Sequence, residues 1–403
     1  MKSSFYKALV SALLLGIFLI IPVSEALSQT EQPNLRIRAQ SAVLMDALSG
    51  DILYEQNPRS RIPPASFSKI LTLYLAYDAL RAGTLKMDDQ VTISNKASKT
   101  PGSKMFLRVG ERVRVEDLLK GIAIVSGNDA CIALAEHLSG TEEAFVSNMN
   151  EKAKLLELKD SLFKNSHGMP AGDQYTTPLD IALLAKRYIE DYPALTFHAA
   201  TEFEYNGIRQ QNRNTLLRRN IGVDGLMTGR LEESGYHLVA TAKRDRQRMI
   251  AVVMGSATER QRGQEAQTLL EYGFKNFSTV EVIKNDTLFG PIKVVRGKLD
   301  KVQLVPAQET WVTVGKGKES SISIIVGPEF ITAPVQKGQA VGKALIQGEG
   351  RVLKEIPLLA STDIPEGIHL PWKLVGGGIL FLIFVGLAGF WWFRRSKRKR
   401  FRT

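Results

Sequence analysis

Hydrophobic and polar positions change their spacing along the chain, and each spacing predicts a kind of element. Apolar residues alternate in "AVLMDALSGDILYEQNP", which predicts a β-hairpin that turns at Ser49 and Gly50. They recur every three or four positions in "PPASFSKILTLYLAYDALRAG", "RVEDLLKGIAIVSGND" and "ACIALAEHLSGTEEAFVSNMNEKAKLL". That period predicts helices, the first of which begins after two prolines and stops at Gly83.

A second strand-rich stretch follows, "IGVDGLMTGRLEESGYHLVATAKRDRQRMIAVVMG". It predicts two strands joined by a polar turn at residues 244–247, and then an amphipathic helix that ends near Gly273. Helices between a leading hairpin and a closing antiparallel pair predict an α+β domain over residues 33–275.

The pattern changes again beyond that domain. Residues 279–360 hold short segments rich in β-branched side chains, separated by Gly, Pro and Asn at intervals of about eight to twelve residues. This spacing is typical of a small all-β sandwich. Residues 361–373 then predict a linker.

Both ends of the chain carry apolar runs. Residues 1–28 combine cations, an apolar run and small residues at Ala26 and Ser28, which predicts a cleavable secretory signal. Residues 374–393 are 20 residues without a charge, enough to cross a bilayer, and seven cations follow at residues 394–403. The positive-inside rule predicts a bacterial inner-membrane anchor with a cytoplasmic tail and everything upstream in the periplasm.

Composition then excludes several classes of function. The formal net charge is +12, but seven of the cations belong to the tail, so the charge does not indicate nucleic-acid binding. The single cysteine, Cys131, lies in an apolar helix and predicts a small core residue. The five histidines are scattered without metal-ligand spacing, so we expect neither a metal nor a cofactor. His167 is interpreted as a hydrogen-bonding residue of a loop.

Candidate chemistry begins with Ser66 and Lys69, which share one face of the first helix. A serine nucleophile needs a nearby base, and the helix N-terminus supplies N–H groups that stabilise an oxyanion. The Ser-x-x-Lys spacing also occurs at Ser4, Ser161 and Ser396. Alone, therefore, the motif indicates no more than a capped helix with a surface lysine.

Two further motifs change that interpretation. Ser126, Gly127 and Asn128 lie between two helical stretches, where a turn would present a hydroxyl and an amide to a cleft. Thr228 and Gly229 lie on a strand about a hundred residues later, where small residues allow a ligand to approach closely. Three such elements in this order are known from penicillin-binding proteins and class A β-lactamases.

The chain resembles the serine D-alanyl-D-alanine carboxypeptidases, which are low-molecular-mass penicillin-binding proteins. The resemblance is carried by "PASFSK", "LLKGIAIVSGNDACIALAEHLSG", "FKNSHGMPAGDQYTTPLDIALLA", "GVDGLMTG" and "GYHLVATA", and later by "LLEYGF", "APVQKGQAVG" and "IPEG". It implies a penicillin-binding-protein/β-lactamase-like catalytic domain, with an antiparallel sheet flanked by helices, followed by an all-β domain. It also implies two partners, a peptidoglycan stem peptide ending in D-Ala-D-Ala and the β-lactams.

The resemblance implies a role for each matching residue. Ser66 would be the acylated nucleophile and Lys69 its general base, while Ser126 would relay a proton to the leaving D-alanine. Asn128 would bind the substrate amide. Thr228 would contact the substrate carboxylate or the substrate backbone, and the main-chain N–H groups of Ser66 and Arg230 would form the oxyanion hole.

One position departs from the family pattern. The third motif begins with lysine in the family, and Met227 stands there in this chain. Methionine has no charge and no donor, so it cannot attract the substrate carboxylate or lower the pKa of Lys69. We expect a weakened carboxylate pocket at Met227, Thr228, Gly229 and Arg230, repaired by a neighbouring guanidinium. The candidates for that guanidinium are Arg230, Arg260 and Arg262.

Two alternatives stay open at this point. A class A β-lactamase shares the first motif, but its second motif is Ser-Asp-Asn and it normally ends after one domain. A membrane-anchored wall-binding or scaffolding protein with decayed catalytic machinery is favoured by Met227 alone.

Overall fold

This computed structural model describes residues 35–367 and 372–399, and in the last helix it describes the side chains of residues 378–394. The predicted signal at residues 1–28 lies outside the described residues, as do positions 368–371 of the predicted linker and 400–403 of the tail.

Most helices of the described chain precede residue 200, and most of its strands follow that position. The helices are Ser68–Arg81 (α1), Asn95–Lys99 (α2), Val115–Val125 (α3), Asn128–Ser139 (α4), Glu142–Leu155 (α5), Pro178–Asp191 (α6), Leu195–His198 (α7), Glu259–Asn276 (α8) and Trp372–Lys399 (α9). The strands are Ser41–Asp46 (β1), Ile52–Gln56 (β2), Gln90–Thr92 (β3), Arg112–Arg114 (β4), Glu202–Tyr205 (β5), Ile208–Gln211 (β6), Val223–Leu231 (β7), Gly235–Arg244 (β8), Gln247–Ser256 (β9), Phe277–Ile283 (β10), Phe289–Val295 (β11), Lys301–Pro306 (β12), Thr310–Gly315 (β13), Ser323–Gly327 (β14), Phe330–Thr332 (β15), Ala340–Gly348 (β16) and Arg351–Ala360 (β17). Short 3-10 turns lie at Ala65–Phe67, Thr215–Arg218 and Glu319–Ser321.

The first domain is α+β, as predicted, and is built on a five-stranded antiparallel sheet in the order β2-β1-β9-β8-β7. The predicted hairpin is confirmed as β1 and β2. The prediction of two strands for the Met227 segment is wrong, because the segment forms three, β7, β8 and β9. The additional turn lies at residues 232–234 and is followed by Gly235 at a φ of +78°, a conformation that glycine adopts without strain.

Helices cover both faces of this sheet. Along β9, Val252 packs in the main core with residues of α1, α3, α4 and α6, whereas Met249 faces α8. A Cβ on Gly273 would lie 3.0 Å from the Met249 sulfur, so the small residue favours close helix–sheet packing. Helix α8 ends at Asn276, three residues beyond Gly273, near which its end is predicted.

The second domain is all-β, as predicted. Its two sheets are β10-β13 and β14-β16-β17-β12-β11-β15, and they share one apolar core that includes Val312, Leu304 and Ile346. The start of the predicted linker packs on this domain, because Ile364 is buried and pairs with Val335.

The last helix, α9, is 28 residues long, and many of its apolar side chains are exposed between Ile379 and Phe393. Across the part of the chain that the structure describes, no helix has both the length and the apolar character that a membrane crossing requires. The membrane span predicted at residues 374–393 stays a prediction.

Candidate active site

A cavity of about 500 Å³ opens where the first domain's sheet edge meets its helices. Its walls come from the 3-10 turn before α1, the loop before α4, the edge strand β7 and the start of α8. The lining residues are Ala65, Ser66, Gly102, Ser103, Ser126, Asn128, His167, Gly168, Met169, Arg213, Thr228, Gly229, Arg230, Leu231, Tyr236, Glu259 and Arg262. Six of the eight predicted site residues line it, and Lys69 and Met227 do not.

Ser66 lies in the 3-10 turn Ala65–Phe67, two residues before α1 begins. Ala65 has a φ of +48°, which is uncommon for a residue with a side chain and costs of the order of 1 kcal/mol. The turn projects the Ser66 hydroxyl into the cavity rather than along the helix.

Lys69 lies one helical turn further on and is 1% exposed. Its Nζ donates to Ser66 Oγ at 3.1 Å and to the carbonyl oxygen of His167 at 2.6 Å. Burial, with a smaller contribution from the positive charge of Arg213, lowers the pKa of Lys69 to about 8, while Cys131 and Asp129 act in the opposite direction. An appreciable neutral fraction, able to accept a proton, therefore exists at mildly alkaline pH.

Ser126 ends α3 in the left-handed conformation, with a φ of +60°. This geometry turns its hydroxyl toward Ser66, so that Ser126 Oγ donates to Ser66 Oγ at 3.0 Å. Asn128 begins α4, and its side-chain Nδ2 donates to the carbonyl of Pro101 at 2.7 Å. The predicted turn therefore presents one hydroxyl and one amide to the cavity.

Asp129 holds the wall beside this turn. Its carboxylate accepts from the backbone N–H groups of Met105 at 2.9 Å and Leu107 at 3.1 Å. The neighbouring Cys131 is buried and free, which confirms its prediction as a core residue.

Thr228, Gly229 and Arg230 follow one another on β7, which lies at the edge of the sheet. A Cβ on Gly229 would come within 3.0 Å of the Ala65 Cβ. The small residue therefore lets β7 approach the turn that carries Ser66, and this contact brings the third motif to the first.

Met227 lies elsewhere. It is 2% exposed and belongs to the apolar core, and it is not among the residues that line the cavity. A methionine is well suited to that environment because it is apolar and flexible.

Guanidinium groups surround the far end of the cavity. Arg230 and Arg262 both lie over the ring of Tyr236, at 5.2 Å and 5.9 Å from its centroid. Arg262 is 4% exposed and pairs with Glu259 at 2.9 Å, while its buried Nε has no hydrogen-bond partner within the described chain. Of the three candidate arginines, Arg230 and Arg262 line the cavity, whereas Arg260 is exposed and does not.

Sequence reasoning missed two groups. Arg213 lines the cavity and lowers the pKa of Lys69, although it lies in a loop with no motif. The carbonyl of His167 binds Lys69, and a backbone group leaves no signal in side-chain patterns. The His167 ring is a loop hydrogen-bonder as predicted, because its Nδ1 accepts from the N–H of Met169 at 3.1 Å.

A serine hydroxyl between a buried amine of lowered pKa and a second serine is the arrangement of a serine-type acyl-transfer enzyme. Comparison with known families agrees. Residues 27–258 match the D-alanyl-D-alanine carboxypeptidase family of peptidases, and residues 277–366 match the C-terminal domain of penicillin-binding protein 5.

Individual proteins show the same likeness over most of the chain. D-alanyl-D-alanine carboxypeptidase DacC of Escherichia coli is 40% identical over 376 residues, which cover 90% of this chain and 94% of that protein. D-alanyl-D-alanine carboxypeptidase DacF of Bacillus subtilis is 36% identical, over 89% of this chain and 95% of that protein. The crystal structure of penicillin-binding protein 5 from Haemophilus influenzae has a TM-score of 0.80 at 36% identity, covering 83% of this chain and 99% of that one. The chain belongs to the D-alanyl-D-alanine carboxypeptidase family and is a serine-type peptidase.

Proposed function

We propose that this chain removes the terminal D-alanine from peptidoglycan stem peptides through an acyl-enzyme on Ser66. The observation that carries the proposal is the position of Ser66 Oγ, 3.1 Å from Lys69 Nζ and 3.0 Å from Ser126 Oγ. Both groups that must move a proton during acyl transfer therefore already contact the nucleophile.

In the first half of the reaction, neutral Lys69 takes the proton of the Ser66 hydroxyl as its oxygen attacks the carbonyl carbon of the penultimate D-alanine. The C–N bond to the terminal D-alanine breaks as Ser126 passes its proton to the leaving amine, and protonated Lys69 returns a proton to Ser126, which restores the neutral base. Water then attacks the ester while Lys69 takes its proton. Lys69 returns this proton to Ser66 Oγ as the ester bond breaks, which releases the shortened peptide and free Ser66.

The rest of the cavity would bind the peptide. Asn128 would hold the substrate amide, and the N–H groups of Ser66 and Arg230 would stabilise the oxyanion. The free carboxylate of the terminal D-alanine would bind Thr228 and Arg262. Arg262 suits this role because its guanidinium is buried at the cavity wall with an Nε that has no partner in the described chain.

β-Lactams would acylate Ser66 in the same way, and the resulting ester would hydrolyse slowly. The structure of Listeria monocytogenes penicillin-binding protein D2 in its ampicillin-bound form is 30% identical with a TM-score of 0.56, and it covers 60% of this chain. No observation favours the alternative of a non-catalytic scaffolding protein, since the three catalytic side chains lie in contact.

The proposal is tested by intact-mass spectrometry of the protein after incubation with benzylpenicillin, and by measuring D-alanine released from a muropeptide ending in D-Ala-D-Ala. We expect one covalent adduct on Ser66 and release of D-alanine, with both lost in Ser66→Ala. Absence of any adduct in the unchanged protein would overturn the proposal.

We also propose that α9 anchors the protein to the inner membrane with its catalytic domain in the periplasm. The support is the run of exposed apolar side chains between Ile379 and Phe390, together with the seven cations at residues 394–403 of the sequence. An anchor of this kind would keep the enzyme close to its substrate, the cell wall.

A further inference from the structure

A buried carboxylate outside the catalytic set lies behind the general base. Glu142 begins α5 and is 7% exposed, and Thr141 caps the same helix by accepting from the N–H of Ala144 at 3.1 Å. A buried charge requires hydrogen-bonding partners to offset its lost hydration. The identity of these partners points to its role.

One partner of Glu142 is a loop residue adjacent to the active site. Glu142 Oε1 accepts from both the N–H of Ser166, at 3.1 Å, and its hydroxyl, at 2.9 Å. The other carboxylate oxygen pairs with Lys96 Nζ at 3.0 Å. Two hydrogen bonds from a single residue fix both its position and its orientation.

The loop that Glu142 holds provides the acceptor for Lys69. His167 directly follows Ser166, and its carbonyl oxygen accepts from Lys69 Nζ at 2.6 Å. The Ser166 carbonyl is itself held by Thr72 Oγ1 at 2.6 Å. A Cβ on Gly168 would come within 1.6 Å of the Ala65 carbonyl, so the loop also packs tightly against the turn of the nucleophile.

This carbonyl matters because of the shape of a neutral amine. A neutral lysine has two N–H bonds and one lone pair, and only the lone pair can accept the Ser66 proton. An acceptor fixed at His167 takes one N–H bond and so restricts rotation about the Cε–Nζ bond. The lone pair is then available to Ser66 Oγ.

We propose that Glu142 is a positioning residue for acylation, acting through Ser166 and the His167 carbonyl on the orientation of Lys69. The inference rests on the roles proposed for Ser66 and Lys69. It assigns to Glu142 no contact with substrate and no proton transfer.

The adjacent acid provides a matched control. Glu143 also binds Lys96, at 2.9 Å, but its side chain is 77% exposed and makes none of the hydrogen bonds to the loop. Glu143→Gln therefore removes one negative charge beside Lys96, as Glu142→Gln does, but it leaves the hydrogen bonds between Glu142 and Ser166 in place. An effect confined to Glu142→Gln therefore does not come from Lys96, and it is either a loss of the loop contact or a loss of the buried charge.

A pH profile separates positioning from charge. The charged or titratable groups around Lys69 are Cys131, Arg213, Asp129 and the His167 ring, and those around Glu142 are Lys96, His167 and Cys131. Removing an anion from this set disfavours the ammonium form, so a charge effect alone would move the rising limb of the profile to lower pH without lowering its plateau. Misplacement of Lys69 lowers the plateau itself.

The experiment measures the rate of acylation by benzylpenicillin in the full-length protein from about pH 6 to about pH 10. We expect Glu142→Gln to lower the plateau about tenfold or more, since a misplacement of about 1 Å costs about a hundredfold. Glu143→Gln should stay within about twofold of the unchanged protein. Thermal unfolding is measured on every variant.

If Glu142→Gln does not fold, Ser166→Ala decides, because it removes only the hydroxyl bond to Glu142. Its plateau should fall by about threefold or more. A folded Glu142→Gln, or failing that a folded Ser166→Ala, with an unchanged plateau would overturn the inference while the adduct on Ser66 still forms. An unchanged protein that forms no adduct would instead overturn the proposed function, and this inference with it.

Discussion

At the scale of single residues, Lys69 shows how burial changes the pKa of an ordinary lysine. Burial is the main cause of its lowered pKa of about 8, and Arg213 adds to it. The family's motif lysine is missing here, and Met227 in its place is packed in the core. Arg213 therefore supplies a cationic influence on Lys69 from a different part of the chain.

Met227 is buried in the apolar core and does not line the cavity. We therefore expect Met227→Lys to place an ammonium group in the core and to lower the free energy of unfolding by about 3 kcal/mol or more. Because the new side chain would not reach the substrate, the rate of acylation by benzylpenicillin in the folded protein should not rise. Thermal unfolding measures the stability, and stopped-flow acylation measures the rate.

Two variants separate stability from charge. Met227→Leu keeps an apolar side chain without a charge and should change neither the stability nor the pH profile of acylation by much. Arg213→Met removes a cation, so the pKa of Lys69 should rise and the rising limb should move to higher pH. A Met227→Lys variant that is as stable as Met227→Leu would contradict the first prediction, and an unchanged rising limb in Arg213→Met would contradict the second.

At the scale of elements, the site depends on the contact between β7 and the 3-10 turn Ala65–Phe67. These elements are separated by more than 150 residues, and they meet only because the chain forms an antiparallel sheet with β7 at its edge. Gly229 permits the approach, since a Cβ there would lie 3.0 Å from the Ala65 Cβ and 3.5 Å from the His237 Cβ.

Gly229→Val should push β7 away from Ser66 and lower acylation by about a hundredfold, the cost of a displacement of about 1 Å at a reacting centre. Mass spectrometry of the penicillin adduct over time measures the loss. Gly172→Val is the control, because a Cβ at Gly172 has no atom within 4 Å in the described chain. Equal acylation by the two variants would show that the contact does not position the strand.

At the scale of the whole molecule, the two domains contact each other through the first hairpin. Ser49 Oγ hydrogen-bonds to Thr313 Oγ1 at 2.7 Å, and Asp51 accepts from the N–H of Thr313 at 2.9 Å. On the β-domain side, Lys354 Nζ also donates to the Trp311 carbonyl at 2.8 Å. The turn predicted from the alternation of β1 and β2 is thus part of a contact between domains.

The proposed anchor is tested at this scale. Full-length protein should sediment with bacterial membranes after a high-salt wash. Burying the apolar side chains of α9 in lipid stabilises the membrane-bound state by about 0.8 kcal/mol per CH₂ group, and salt does not weaken that contribution. A variant that ends at residue 367 should move to the soluble fraction and still form the penicillin adduct. Full-length protein found in the soluble fraction would rule out the anchor.

The sequence by itself determined most of the helices and strands of this protein and the chemical groups of its candidate site. Period-two and period-3.6 patterns depend on local geometry, so they located the hairpin, the main helices and the all-β domain. The Ser66, Ser126 and Thr228 motifs supplied candidate groups. The sequence analysis missed the third strand because the local pattern does not show that Gly235 follows a turn. It ended α8 a few residues early because the local pattern does not distinguish a glycine that allows close packing, such as Gly273, from one that stops a helix.

Tertiary structure alone decided how these groups act together. The burial of Lys69, the contribution of Arg213 to its pKa and the hold of Glu142 on the His167 loop all join residues far apart in the chain. The same holds for the place of Met227 in the core. Desolvation and hydrogen bonding depend on which atoms lie within a few ångströms, and packing between elements sets those distances.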